Sequence, residues 1–302
     1  MKVAEGTLLY TPPLESVERS RLRAFERFLE AEHGLRFASY EELWRFSVTD
    51  LSTFWGAITK FFGVRFHAPP RSVLEGAMPS AHWFPGATLN YAEHVVFGQF
   101  DRPAIVFVAE DGTRQELSHA ELRALVGRVR AGLVRLGVTK GDRVAALLPN
   151  RPETVALFLA SASLGAVFSS AAPEFGAKSI LDRFRQIEPK VFVTVDGYRY
   201  GGKQFDKSAE ARAIQAGLPT LATTVVLSSP GGGGAGAPPI EHDSAPPTHG
   251  STISFEALVS EPGELAFEPV PFEHPLWILY SSGTTGLPKP IVHGHGGILL
   301  EH

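Results

Sequence analysis

The residues best suited to chemistry lie in one segment near the end of the 302-residue sequence. An apolar run at 276–279 predicts a buried strand, and after Tyr280 the chain continues as Ser281, Ser282, Gly283, Thr284, Thr285, Gly286, Leu287, Pro288 and Lys289. Such a loop suits a polyphosphate, because glycines let backbone N–H groups approach closely, hydroxyls add donors and a lysine adds charge. Lys289 is the only lysine or arginine after Arg212. The sequence therefore predicts a phosphate-binding loop with Lys289 as its cation.

This loop differs from the phosphate loop of kinases and GTPases. That loop places a lysine and a hydroxyl residue directly after its last glycine, whereas here Leu287 and Pro288 precede Lys289. The sequence also contains no cysteine and no Gly-x-Ser-x-Gly segment. These absences exclude cysteine nucleophiles, thiolate metal sites and hydrolases built on that serine motif.

Two further loops, at 172–176 and 196–203, follow predicted strands. The second combines Arg199 and Lys203 with two tyrosines and three glycines, which suits a nucleotide phosphate beside an aromatic face. The alternative, favoured by this segment taken alone, is a solvated turn with an arginine stacked on a tyrosine. Ligands of open parallel sheets bind beyond the carboxyl ends of the strands. If the strands share a sheet, all three loops face one cleft.

Strand and helix patterns alternate from about residue 104, after a helical and aromatic-rich region. The strand patterns lie at 104–108, 144–148, 166–169, 191–195 and 223–227, and the helix patterns at 118–136, 153–164, 179–187 and 205–216. Alternation at this spacing indicates βαβ units. We predict an α/β fold with a mainly parallel, doubly wound sheet and helices on both faces.

Composition excludes several classes of function. The formal net charge is −4, from 28 basic and 32 acidic residues, which argues against general nucleic-acid binding. No stretch approaches the roughly 20 apolar residues of a membrane span, and the N-terminus lacks the basic start and apolar run of a signal peptide. We therefore expect a cytoplasmic protein that binds neither nucleic acid nor membranes.

Two further patterns carry less chemical information. Residues 228–250 contain four consecutive glycines and predict a surface loop or linker, because their apolar side chains are too few to offset the entropy of ordering. A phosphate loop is not predicted there, because no basic residue or clear helix start follows the glycines. His293 and His295 flank a glycine, and in an extended chain their side chains point the same way. We expect loop hydrogen bonding rather than a metal site, because carboxylates are few nearby and cysteine is absent.

The segment from Tyr280 to Lys289 resembles the signature loop of the adenylate-forming ligases, the superfamily that includes acyl-CoA synthetases. That pattern is an aromatic residue followed by Thr/Ser-Ser-Gly-Ser/Thr-Thr-Gly-x-Pro-Lys-Gly. The segment fits it throughout, and Pro290 replaces the final glycine. Residues 83–91 resemble the N-terminal extension of short-chain acyl-CoA synthetases, and residues 141–144 with 164–167 resemble an early block of the superfamily. Residues 182–184, residues 196–203 and the phosphate loop with Pro290 are most similar to the branch that activates acetoacetate.

The resemblance implies a two-step reaction with ATP, Mg²⁺ and coenzyme A. A carboxylate attacks the α-phosphorus of ATP to give an acyl-adenylate and pyrophosphate, and the coenzyme A thiol then displaces AMP. The residues implied at the ATP phosphates are Ser281, Ser282, Gly283, Thr284, Thr285, Gly286 and Lys289, with Lys289 as the catalytic cation. The residues implied at coenzyme A are Arg199, Lys203 and Gly176. A second alignment register places Tyr200, in place of Arg199, at the arginine position.

The resemblance also implies the organisation of the chain. It places an N-terminal extension at 1–95 and a truncated AMP-binding domain at 96–302, with the adenine site and a C-terminal catalytic lysine downstream. We therefore expect a fragment that is inactive alone, whose full-length parent ligates acetoacetate to coenzyme A. The alternatives are a fragment of an acetyl- or propionyl-CoA synthetase, and a non-catalytic module that binds a nucleotide or coenzyme A. The oligomeric state is not predicted.

Overall fold

The computed structural model describes residues 3–97, 101–229, 250–282 and 286–302. The chain forms two compact units, Met1–Val64 with Arg71–Pro85, and Arg65–Pro70 with Gly86–His302. The predicted surface loop at 228–250 lies almost entirely outside the described residues. The predicted domain boundary after residue 95 stays a prediction.

The first unit is mainly helical. Its elements are α1 (Leu14–Glu18), α2 (Arg21–His33), α3 (Tyr40–Thr49), α4 (Leu51–Phe61) and a short hairpin of β1 (Leu74–Glu75) and β2 (His82–Trp83). Phe25, Leu29 and Leu43 are buried at its centre, and the Phe25 ring meets the Phe54 ring edge-on at 5.8 Å. Aromatic side chains of α4 therefore contribute to core packing, whereas Phe62, just after the helix, is 56% exposed.

The second unit contains the remaining elements. Its helices are α5 (Tyr91–Val96), α6 (His119–Arg135), α7 (Pro152–Ser163), α8 (Ala177–Phe184), α9 (Ser208–Ala216), α10 (Phe255–Leu258) and α11 (His295–Glu301). Its strands are β3 (Thr88–Leu89), β4 (Ile105–Val108), β5 (Arg114–Leu117), β6 (Arg143–Leu147), β7 (Val167–Ala171), β8 (Val191–Val195), β9 (Gly197–Tyr200), β10 (Lys203–Asp206), β11 (Thr223–Leu227), β12 (Ser251–Ser254), β13 (Val270–Pro271), β14 (Pro275–Ser281) and β15 (Lys289–Gly294).

Seven of these strands form one sheet in the order β12-β11-β8-β6-β7-β14-β15. Every neighbouring pair from β12 to β14 is parallel, and β15 is an antiparallel edge strand. The mainly parallel sheet predicted from the sequence is confirmed. Because parallel strands end at the same edge, the segments that follow β7, β8 and β14 leave the sheet on one side.

Alternate residues of each central strand supply two separate cores. In β6, Val144 and Ala146 belong to the cluster that includes α6 and α7, whereas Ala145 and Leu147 belong to the cluster with α8 and α9. This period of two is the geometry of a strand buried on both faces. Helices therefore cover both faces of the sheet, as the doubly wound prediction requires.

One local prediction is wrong. The helix predicted at 205–216 begins only at Ser208, because residues 205 and 206 pair with β9 in the β9–β10 hairpin. The phosphate loop is followed by the strand β15, and α11 begins at His295.

Candidate functional site

The predicted phosphate loop connects the antiparallel strands β14 and β15. Ser281, the last residue of β14, lies directly opposite Lys289, the first residue of β15. Ser281, Ser282 and Lys289 are exposed, so this end of the hairpin faces solvent. Gly283, Thr284 and Thr285 lie outside the described residues. The structure therefore places the lysine beside the start of the loop, although eight positions separate the two in sequence.

The backbone accounts for two sequence features of this hairpin. Pro290 has no N–H to donate to a sheet, and it is accommodated because β15 is an edge strand. Gly286 has a φ of 152°, a region that residues with a Cβ rarely adopt. The proline that departs from the superfamily pattern is thus compatible with the strand, and this glycine has a conformational role.

Helix α8 forms the other wall of an open cavity of about 690 Å³ beside the loop. Ser282, Gly286 and Pro288 line it from the loop, and Gly176, Lys178 and Arg183 are among the residues that line it from the α8 side. Gly176, assigned to coenzyme A from the sequence, is the N-cap residue of α8. It therefore shares a cavity with the phosphate loop.

Hydrogen bonds connect the end of α8 and the turn that follows it to both ends of the loop. The Tyr280 hydroxyl donates to the Arg183 backbone oxygen at 2.9 Å, and the Gln186 side-chain amide donates to the Pro288 oxygen at 2.9 Å. Burial raises the pKa of Tyr280 to about 12, so the phenol keeps the proton that it donates at neutral pH. These two contacts hold the helix at a defined position relative to the loop.

The candidate coenzyme A residues Arg199 and Lys203 lie on the β9–β10 hairpin. Lys203 is opposite Tyr200 and Gln204 is opposite Arg199 in the antiparallel register, so Arg199 and Lys203 lie on opposite faces. Gly201 and Gly202 form the turn with φ of 58° and 73°. The two cations are therefore close in sequence but do not share one face of the hairpin.

A carboxylate faces Arg199. Glu110 lies 3.9 Å from its Nε atom, and the Gly202 backbone N–H donates to the same carboxylate at 3.3 Å. The aromatic contact in this hairpin is between Tyr198 and Phe205, which stack at 5.1 Å. The alternative drawn from the sequence was an arginine stacked on a tyrosine. In the structure Arg199 instead pairs with Glu110, and Tyr198 stacks on Phe205.

The two histidines near the C-terminal end have different surroundings. His293 is a partly exposed residue of β15 and contacts Trp277, with ring centroids 6.4 Å apart. His295 is fully buried, and its Nδ1 accepts a hydrogen bond from the Tyr91 backbone N–H at 3.2 Å. The described parts of the chain contain no group of three or more His, Asp or Glu residues arranged to hold a metal ion.

Sequence reasoning did not assign Arg183 or Gln186 to the site. Arg183 was noted only for the similarity of residues 182–184 to a superfamily branch. The sequence does show that apolar Ile180 and Phe184 are four residues apart, and both are buried in α8. This spacing indicates which face of the helix packs on the sheet. It does not indicate which neighbouring element the polar residues on the other faces contact. Only the tertiary structure supplies that element.

Comparison with known proteins identifies the family. The sequence profile described as AMP-binding enzyme matches residues 92–301, and the profile described as Acetyl-coenzyme A synthetase N-terminus matches residues 40–95. The first match covers more than half of the chain, and the chain belongs to the AMP-binding enzyme family. None of the helices in the described ranges is long and apolar enough to cross a membrane.

Within that family the chain is similar to acetoacetyl-CoA synthetases. It is 41% identical to Acetoacetyl-coenzyme A synthetase of Rhizobium meliloti, over 97% of this chain and 44% of the relative. It is 34% identical to Acetoacetyl-CoA synthetase of Macaca fascicularis, over 100% of this chain and 45% of the relative. The solved structure of the Streptomyces lividans acetoacetyl-CoA synthetase matches with a TM-score of 0.87 and 44% identity, over 96% of this chain and 44% of that chain. The chain thus spans less than half the length of these relatives.

Proposed function

We propose that the protein containing this chain ligates acetoacetate to coenzyme A through an acyl-adenylate, with release of AMP and pyrophosphate. Among the structural observations, the pairing of Lys289 with Ser281 at the end of β14 carries the proposal. It puts a cation and a hydroxyl together at the edge where open parallel sheets bind ligands. Similarity to acetoacetyl-CoA synthetases supports the choice of acid.

The chemistry assigned to the phosphate loop is electrostatic. Acyl-adenylate formation places negative charge on the departing pyrophosphate, and a fixed cation and donors stabilise that charge without reorganising. Lys289 provides the cation, while Ser281, Ser282 and the backbone of Gly286 line the approach. Gly283, Thr284 and Thr285 stay predicted phosphate ligands.

Coenzyme A would bind at the same edge of the sheet, beyond β7 and β8. Arg199, Lys203 and Gly176 stay the proposed contacts. Because Arg199 and Lys203 lie on opposite faces of the hairpin, one phosphate group is expected to bind mainly one of them. Lys203 shares its face with Tyr200, whereas Arg199 has Glu110 beside it. We therefore expect Lys203 to contribute more than Arg199.

Mg²⁺ would accompany ATP in this reaction, where it neutralises phosphate charge. Protein sites for ATP-bound Mg²⁺ commonly use one or two carboxylates together with the phosphates themselves. Among the described residues that line the cavity beside the loop, the carboxylate is Asp182, and it pairs with Lys178. No step is therefore assigned to the ion through residues of this chain.

The test is acid-dependent pyrophosphate release by the full-length protein with ATP and coenzyme A. Acetoacetate, acetate and propionate are compared at equal concentrations. We expect acetoacetate to have the highest kcat/KM. A preference for acetate or propionate would favour the acetyl- or propionyl-CoA synthetase alternative. Absence of release with all three acids would favour a non-catalytic binding module.

A further inference from the structure

The cavity beside the phosphate loop is lined by an arginine of the neighbouring helix. Arg183, near the end of α8, lines this cavity together with Ser282 and Gly286 of the loop. The other basic residue at the cavity, Lys178, pairs with Asp182 at 2.7 Å. The ion pairs found among the described residues do not include Arg183. The uncompensated positive charge of the cavity wall is therefore that of Arg183.

Two aromatic rings and one neighbouring residue hold the guanidinium in place. Its Cζ lies 4.9 Å from the centre of the Phe175 ring and 5.9 Å from that of Tyr280. Its Nη1 donates to the Ser179 backbone oxygen at 2.7 Å and to the Ser179 hydroxyl at 2.6 Å. Contacts with ring faces orient a guanidinium without using its N–H donors.

Donors of Arg183 remain available for a ligand. An arginine has five N–H donors in a planar fork, and the described hydrogen bonds of this side chain involve Nη1 alone. The Nε and Nη2 groups therefore have no protein acceptor among the described residues. The fork geometry matches two oxygens of one phosphate group.

The position of Arg183 relative to the loop is also fixed. Its own backbone oxygen accepts the Tyr280 hydroxyl, directly before the loop, and Gln186 binds Pro288, directly before Lys289. The helix that carries the guanidinium and the turn that follows it are thus connected to both sides of the phosphate loop. An anion in the cavity would therefore lie beside Arg183 and the described loop residues that line it.

We propose that Arg183 binds the polyphosphate ligand of this loop as a second cation beside Lys289. The ligand class rests on the proposed function, in which the polyphosphate is the β- and γ-phosphates of ATP. Two separated cations suit a tripolyphosphate chain better than a single phosphate, because its negative charge is spread over several oxygens. Arg183 is accordingly a binding residue, in direct contact with the substrate.

The experiment measures binding of inorganic tripolyphosphate to the full chain by isothermal titration calorimetry. Arg183→Gln is expected to weaken binding about tenfold, as loss of a charge-assisted bidentate contact does. The matched control is Arg185→Gln, which removes the same charge from an exposed arginine bound to the Gly217 oxygen. We expect the control to bind as wild type does, and the Arg183 effect to shrink at high salt.

Equal binding by Arg183→Gln and Arg185→Gln, with unfolding temperatures like that of wild type, would overturn the proposal. A second measurement needs no substitution: arginines of the wild-type protein are modified with phenylglyoxal and located by mass spectrometry. Tripolyphosphate should protect Arg183 and leave Arg185 reactive, and failure to protect Arg183 contradicts the assignment. Neither readout involves acetoacetate, so failure of this binding proposal can be distinguished from failure of the proposed ligase function.

Discussion

At the residue scale, the proposed role of Lys289 depends on its position in strand β15. Its exposed ammonium group lies at the start of β15, opposite Ser281. We expect Lys289→Ala in the full-length protein to slow acetoacetate-dependent pyrophosphate release by about 100-fold, the usual cost of removing one preorganised donor from a developing charge. The KM for acetoacetate should change little, because the proposed contact of the lysine is with phosphate rather than with the carboxylate. Steady-state pyrophosphate release measures both quantities.

The control for this substitution is Lys60→Ala, which removes an exposed lysine from the end of α4 in the first unit. That variant should release pyrophosphate at the wild-type rate. If Lys289→Ala also kept the wild-type rate, the assignment of the phosphate loop would be wrong. A large rise in the KM for acetoacetate would instead indicate that the lysine binds the acid.

His295 predicts a pH dependence of stability. Burial, with a smaller contribution from the neighbouring His274, lowers the pKa of His295 from 6.5 to about 3. In the unfolded chain the same imidazole binds a proton near pH 6.5. Between pH 6.5 and 3 the unfolded state therefore binds more protons, and the free energy of unfolding falls as pH falls through that window.

His295→Asn should reduce this dependence, because asparagine keeps an acceptor for the Tyr91 N–H and does not titrate. The measurement is the urea midpoint between pH 7 and pH 5. An exposed histidine at the end of α2 provides the control, His33→Asn, whose midpoints should follow those of wild type. Equal slopes for wild type and His295→Asn would contradict the buried-imidazole explanation.

At the scale of elements, one close contact positions α6 against α10. A Cβ added at Gly132 would overlap the Leu258 backbone oxygen and lie 2.6 Å from Leu258 Cδ1. We expect Gly132→Ala to destabilise the chain by roughly 1–3 kcal/mol, the usual cost of overpacking, despite the helix propensity that alanine adds. Urea unfolding measures the change.

Gly297→Ala in α11 is the matched control, because nothing lies within 4 Å of a Cβ at that position. The same substitution there should leave stability unchanged or raise it slightly. If Gly132→Ala were as stable as wild type, α6 and α10 could move apart far enough to admit a methyl group without lowering the free energy of unfolding. In that case the close approach of the two helices would not constrain the fold.

Element prediction succeeded where burial is strong and local. The apolar runs at 191–195 and 223–227 have the observed bounds of β8 and β11, because a strand buried on both faces has a nearly continuous apolar sequence. The helix pattern at 118–136 begins where Ser118 and Glu121 form the capping box of α6. Prediction failed at β10 and β15, where exposed strands depend on a partner strand that local sequence does not reveal.

At the scale of the whole molecule, the chain spans 44% of its Rhizobium meliloti relative. The site described above consists of one loop, one helix wall and a hairpin. We expect the isolated chain of residues 1–302 to form no acyl-adenylate, because the resemblance places the adenine site and a catalytic lysine in the rest of the protein. Exchange of labelled pyrophosphate into ATP measures this, with the full-length protein as control. Exchange above background by the isolated chain would contradict the prediction.

The sequence by itself determined the composition of the phosphate loop, the α/β class and the family resemblance, because glycines, hydroxyls, a lone lysine and apolar periodicity are local properties. The tertiary structure decided which residues meet. It paired Lys289 with Ser281, brought Arg183 and Gly176 to the cavity beside the loop, and placed Arg199 and Lys203 on opposite faces of a hairpin. The physical reason is that strand register and sheet order are set by non-local hydrogen bonds and packing, which no short segment encodes.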